Sequence, residues 1–234
     1  MWLREREWCA ELLDNAGLNE AEVYNALAGL QRLNFISRGA GVLWPEIRKL
    51  ARARRLRHVR VLDLACGGGD IPLALMRKAR KSNFALALAA CDLNPRSLEY
   101  ARGRAHAAGQ AITFFALDVL RQPLPQGYDV VMCSLFLHHL KESEAAALLG
   151  RMAGAAQHLV LVNDLQRNWL NGVLVWLGSR LLSRSHVVHT DALRSVKNAF
   201  TPSEFAALAH SAGLTDFSIK RHWPARMLLR WKKS

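Results

Sequence analysis

From residue 59 onward the hydrophobic positions change period in a regular way. Apolar runs at Val59–Leu64, Phe84–Cys91, Ile112–Leu117, Asp129–Cys133 and His158–Val162 alternate with stretches of helical period at Ile71–Arg80, Pro95–Ala108 and Lys141–Ala155. Short apolar runs bounded by turn residues read as buried strands, and three-to-four spacing reads as helix. Their alternation predicts right-handed crossovers and a parallel sheet. Ahead of this region Glu7–Ala16 and Glu20–Leu33 have helical spacing, with Gly17 as a stop and Asn19 as an N-cap. Leu27, Leu30 and Leu33 fall on one face of the second helix, and Gly39-Ala40-Gly41 breaks the pattern before Trp44-Pro45 and an arginine-rich helix. Beyond strand five, Trp169–Leu182 forms a helix apolar on almost every side, which must be buried on two faces or press into something greasy. Thr201-Pro202-Ser203-Glu204 opens a capped helix running to Ala212 and ended by Gly213, and 214–231 reads as two strands joined near Arg221.

The first strand breaks into glycines: Val61-Leu62-Asp63-Leu64-Ala65-Cys66-Gly67-Gly68-Gly69-Asp70, with Cys91-Asp92-Leu93 beginning 22 residues beyond Gly69. Glycines there permit unusual backbone angles and a close ligand approach, and an acid at the end of the second strand suits a ribose diol. This unit binds a nucleoside. A dinucleotide fingerprint requires a third glycine where this chain has Pro72. Asp63, at the end of the first strand, would repel a pyrophosphate but favours a cation. S-adenosylmethionine, with its ammonium and sulfonium groups and no phosphate, fits this charge pattern better than NAD.

At these residues the chain resembles the class I S-adenosylmethionine-dependent methyltransferases, from about Val59 to the C-terminus. Asp63 through Gly69 resembles their first motif, with Ala65 in place of the usual first glycine; Asp92 matches the ribose-holding acid. Asp118, followed by Val119, looks like the acid after strand three, near the adenine amino group. Tyr128-Asp129-Val130-Val131-Met132-Cys133-Ser134-Leu135-Phe136-Leu137-His138-His139-Leu140 resembles strand four and the start of its helix. The resemblance implies an α/β, doubly wound Rossmann-like seven-stranded sheet in the order 3-2-1-4-5-7-6, its last strand antiparallel. It also implies an N-terminal helical cap at 1–58 and a methyltransferase domain at 59–234, within which the least standard stretch, 164–199, reads as a substrate-covering helical insert. Asp63, Ala65, Gly67, Gly69, Asp92, Leu93, Asp118, Val119 and Ser134 are its implied cofactor residues.

Methyl transfer requires an acceptor lone pair aimed at the methyl carbon and often a base. His138 and His139 follow strand four, and Asp164 follows the adjacent strand five. By resemblance to natural-product O-methyltransferases with a similar His-His and a following acid, His138 is the expected base, Asp164 its orienting partner, and His139 the second candidate. The same His-His-Leu also serves simply to pack the helix start. His186 and His189, with Asp191, are read as polar loop residues, as a mobile lid, or as a metal pair lacking further ligands; no metal is expected. Arg167 and Asn168 are further candidates to orient an acceptor. Cys133-Ser134-Leu135-Phe136 is not the tetrapeptide of base N-methyltransferases, and the arrangement resembles ubiquinone/menaquinone-type and polyketide-tailoring enzymes. The expected acceptor is a hydrophobic aromatic or lipidic small molecule, a phenol, hydroquinone or alkyl-phenol lipid, with O-methylation favoured over C-methylation.

Composition adds partners to this picture. The chain has 234 residues, 51% of them hydrophobic, and a net charge of +13. Arg48, Lys49, Arg52, Arg54, Arg55, Arg57 and Arg60 cluster ahead of the first strand, and Lys220, Arg221, Arg226, Arg230, Lys232 and Lys233 lie near the C-terminus. Such clusters are solvated faces, or they meet an anionic membrane or, less favoured, nucleic acid. They keep open an RNA or protein methyltransferase, and a non-catalytic cofactor-binding partner protein. Cys9, Cys66, Cys91 and Cys133 show no paired spacing and read as free thiols of a reducing compartment. With no signal peptide and no apolar run of about 18 residues, the expectation is a cytoplasmic protein, peripheral at the inner face of the membrane if the basic clusters meet lipid.

Overall fold

The computed structural model describes residues 3–13, 17, 19–36 and 39–233. Seven strands form one sheet in the order β3-β2-β1-β4-β5-β7-β6: β1 (His58–Leu64), β2 (Ala85–Asp92), β3 (Thr113–Ala116), β4 (Tyr128–Ser134), β5 (Ala156–Leu165), β6 (Ser218–His222) and β7 (Arg226–Lys232). The pairs from β3 across to β5 are parallel, and β7 runs antiparallel to both β5 and β6. This is the sheet the resemblance implied.

Alternation along the strands divides the core in two. Leu62, Val131, Cys133, Val160 and Val162 face one layer with α5 (Glu142–Ala155) and α8 (Pro202–Ser211). Val61, Val130, Met132, Leu159 and Leu161 face the other with α2 (Gly39–Arg54), α3 (Asp70–Lys81) and α4 (Pro95–Ala107). Successive strand residues point to opposite faces, so one sheet serves both cores. The helices begin where their caps dictate. Asn94 accepts from the amides of Arg96 and Ser97 with Pro95 next, and Thr201 and Glu204 form a reciprocal capping box. Asn19 and Glu22 likewise cap α1 (Glu20–Ile36).

Several segments depart from the sequence reading. Residues 6–13 are not helical; the rest of the expected helix, 14–16, lies outside the described residues, as do the side chains of Leu30 and Leu33. Their place is taken by an irregular strap held from outside. Asp191 accepts from the amides of Leu12 and Leu13, while Asn198 exchanges hydrogen bonds with both main-chain groups of Cys9. Side chains of α7 (His186–Asn198) thus satisfy backbone groups that a helix would have paired internally. Gly39-Ala40-Gly41 does not break a helix but starts α2. Two helical glycines cost roughly 1 kcal/mol each, whereas burying Val42, Leu43, Ile47 and Leu50 contributes roughly 1.5–3 kcal/mol apiece. His186 and His189 sit on α7 rather than in a loop, Asp164 lies inside β5, and the last two strands join at Trp223–Ala225 rather than near Arg221.

Candidate active site

The turn after β1 has the backbone its glycines allow. Gly67 and Gly69 have φ of 52° and 75°, and Ala65 takes 53° although it carries a Cβ. A Cβ on Gly69 would stand 3.0 Å from that of Ala101, whereas one on Gly67 would meet open space. Gly69 therefore serves helix packing, and Gly67 faces open space. Asp92 ties the turn to β2, accepting from the Gly67 amide at 2.8 Å and the Asn94 amide at 2.9 Å. Arg104 adds a bond to the Gly68 carbonyl at 2.7 Å and pairs with Asp70.

Asp63 lies at the end of β1, 1% exposed, and its Oδ1 has no hydrogen-bond partner. Burial first, and then the neighbouring Asp92 charge, push its pKa well above the usual carboxylate range. A buried carboxylate oxygen without a partner fits an ammonium group, whose arrival would restore the ionised form. Leu93 is well exposed beside Asp92. Asp118 follows β3 and accepts from the amides of Leu120 and Arg121, while the Val119 side chain is buried in the core and leaves only main chain to a ligand. Ser134 ends β4, paired with Asn163, whose Nδ2 donates to the serine Oγ at 2.8 Å. Asn163 is fully buried, and its own Oδ1 has no partner. These features gather at the carboxyl ends of β1, β2 and β4, where the unpartnered Asp63 oxygen and the open space beside Gly67 fit S-adenosylmethionine.

The adjacent corner holds the histidines. After β4 a single 3-10 turn, Leu137–His139, points His138 inward, 2% exposed, against the end of β5. Its Nδ1 donates to Asp164 Oδ1 at 2.6 Å, and Asp164 also accepts from the amides of His138 at 3.1 Å and Leu165 at 2.7 Å. On the other side of the ring, Nε2 lies 3.5 Å from Glu11 Oε1, and His139 Nε2 lies 3.7 Å from Glu11 Oε2. These three residues bring potential metal-ligand atoms within 4.8 Å of one another, each imidazole facing one oxygen of the same carboxylate. Burial alone would lower the His138 pKa; the Asp164 carboxylate, then Glu11, override it and hold it up at about 10. Burial would raise Asp164 and Glu11, but the facing histidines bring both below the usual range. The two flanking carboxylates favour the imidazolium form of His138.

The strap forms the roof of this corner. Arg6 donates to the carbonyls of His138 and Leu140, Trp8 donates to that of His139, and Ser195 of α7 holds Glu11 from behind. Glu11 and Arg6 carry no local sequence signal, because only the folded strap places them. Two other candidates stand apart from the histidine corner. Arg167 is engaged by Glu204 and the Ala199 carbonyl, and Asn168 caps α6 (Trp169–Leu182). Among the described residues His189 makes no hydrogen bond to the corner; its Nε2 bonds the Ser183 carbonyl.

Comparisons with known proteins agree with this geometry. Residues 61–158 match a family model described as a methyltransferase domain. The chain is 26% identical over 167 residues to the ubiquinone biosynthesis O-methyltransferase of Idiomarina loihiensis, covering 68% of this chain and 63% of that protein. It is 27% identical over 197 residues to the demethylmenaquinone methyltransferase of Thermus thermophilus, covering 79% of this chain and 86% of that protein. In fold it is similar to the magnesium protoporphyrin IX methyltransferase of Synechocystis solved with bound SAH, with a TM-score of 0.57 at 16% identity, covering 95% and 91% of the two chains. An O-methyltransferase family 2 protein of Planctomyces limnophilus, solved as a complex with apigenin, superposes with a TM-score of 0.65 at 18% identity, covering 94% and 63%. The chain has a class I S-adenosylmethionine-dependent methyltransferase fold, carries a methyltransferase domain at residues 61–158, and is related in sequence to ubiquinone and menaquinone methyltransferases.

Proposed function

We propose that the protein methylates a hydroxyl of a hydrophobic aromatic acceptor, a phenol, hydroquinone or alkyl-phenol lipid. The observation that carries this reading is the 2.6 Å contact between His138 Nδ1 and Asp164 at the carboxyl ends of two adjacent strands. Bound S-adenosylmethionine supplies a sulfonium methyl for in-line displacement by oxygen. In this reading Asp63 holds its ammonium, the Gly67–Gly69 main chain lets it approach, and Asp92 accepts from the ribose hydroxyls. Leu93 covers the adenine, Asp118 and the Val119 main chain hold its polar edge, and Ser134 lines the side toward the acceptor.

Asp164 fixes the His138 tautomer with Nε2 outward, the nitrogen suited to take a phenolic proton. An imidazolium cannot take one. In this reading the acceptor hydroxyl displaces Glu11 from the space beside Nε2, removing one of the two charges that raise the His138 pKa, and the imidazolium must release its Nε2 proton before it acts as base. His139 stacks tilted on His138 with ring centroids 4.5 Å apart and flanks that space. The names of the ubiquinone and menaquinone relatives support an apolar, quinone-like acceptor.

The test is incubation with methyl-labelled S-adenosylmethionine and a panel of alkyl-phenols and hydroquinones, read by mass spectrometry. A labelled methyl ether supports the proposal. Label on ring carbon keeps the acceptor and overturns O-methylation, and label only in added RNA or protein overturns the small-molecule reading.

A further inference from the structure

Helix α6 is inside out. The residues it buries are Asn171, Gly172 and Ser179, whereas Trp169, Leu170, Val173, Trp176, Leu177 and Leu181 are exposed, Trp169 at 72% and Leu181 at 81%. Trp169, Val173, Leu177 and Leu181 recur every fourth residue and make one stripe. A surface helix of a water-soluble domain shows the reverse arrangement. A continuous apolar stripe bordered by polar residues marks an interaction site.

The charges around the stripe say what covers it. No Asp or Glu occurs between Asp164 and Asp191, while Arg167, Arg180 and Arg184 do. Arg167 is buried in its pairing with Glu204, but Arg180 and Arg184 stand exposed at the C-terminal end of α6. Arg180 also lies over the Trp176 ring, 4.5 Å from its centroid. Two open clefts adjoin this end and share Arg180 and His186; one adds His189 with Arg194 and Lys197, which pair with Asp191 and Glu7, and the other adds Arg32, Arg184 and Glu22. Tryptophan, leucine and arginine on α6 and the residues just after it, a stretch that itself carries no acid, match the boundary between lipid headgroups and acyl chains. A second copy would bring an equally cationic surface against this one, in a chain of net charge +13.

We propose that α6 docks the enzyme onto an anionic lipid bilayer, its apolar stripe in the acyl boundary and Arg180 and Arg184 among the headgroups. This does not depend on which acceptor is methylated. No helix among the described residues is long and apolar enough to cross a membrane, so the contact is peripheral.

Sedimentation of the full chain with phosphatidylglycerol-containing vesicles, against pure phosphatidylcholine vesicles, tests the proposal. Binding is expected to the anionic vesicles, weakened by salt. Arg180→Ala and Arg184→Ala should each lower partitioning roughly fivefold, and Leu177→Asp with Leu181→Asp should abolish it while the circular dichroism spectrum and cofactor affinity stay unchanged. No binding by the wild-type chain overturns the proposal. So does binding undiminished in the variants, which would assign it to the other basic clusters. A wild-type dimer in analytical ultracentrifugation that the leucine variants render monomeric overturns it as well, in favour of a second copy.

Discussion

Replacing Asp164 by alanine should destabilise the fold far more than loss of one surface carboxylate would. The side chain is 1% exposed and accepts three hydrogen bonds, one from the imidazolium of His138 and two from backbone amides. Its removal strands a buried cation with Glu11 as its remaining carboxylate. Breaking a buried pair in this way costs about 3–5 kcal/mol. An unfolding entropy of about 2.1 cal/mol/K per residue over 234 residues converts this to about 6–10 °C of Tm. Differential scanning calorimetry at pH 6 is the assay, and repeating it across pH tests the cause. His138 has a raised pKa in the folded state, so its share of the stability is complete below the unfolded value of about 6.5 and is lost as pH rises through about 10. Asp164 has a lowered pKa, so its share is present above about 3.9 and is lost as pH falls. The gap between wild type and variant should therefore be widest at mildly acidic pH and narrow steadily toward pH 10. A loss below about 2 °C, or a gap that widens with pH, would refute a charged His138 held between two carboxylates.

Asp92→Ala should weaken S-adenosylmethionine binding by the roughly 1.5–3 kcal/mol of a charge-assisted acceptor; unchanged affinity in titration calorimetry would remove Asp92 from the ribose. Gly67→Ala and Gly69→Ala both force a Cβ into positive φ, at about 1–2 kcal/mol. Only Gly69→Ala also crowds Ala101, so it should lower Tm more, while Gly67→Ala should weaken cofactor binding more; equal effects in both assays would sink the division of labour. Glu11→Gln removes a charge that raises the His138 pKa, so the rising limb of the pH–rate profile should move to lower pH. An unmoved limb would show that Glu11 does not gate the base.

What could be read from the chain was whatever neighbouring residues decide among themselves. The glycine turn, the Asn19 and Thr201 caps and the strand–helix alternation each depend on contacts within a turn or two, and all were legible. So was the meeting of His138 with Asp164, because adjacent parallel strands bring their carboxyl ends to one rim. Of the helix expected over Glu7–Ala16, residues 7–13 are not helical because Asp191 and Asn198, supplied by α7, hold their backbone instead. Gly39 and Gly41 were misread as a break because burial of the residues after them outweighs their local cost. The same folding carries Glu11 to the imidazoles of His138 and His139. Composition identified α6 as greasy, but the packing of its small and polar side inward determined that the tryptophans and leucines face out. Local propensity and periodicity depend on sequence neighbours, whereas the partner of a buried charge and the outward face of a helix depend on elements that only the folded chain brings together.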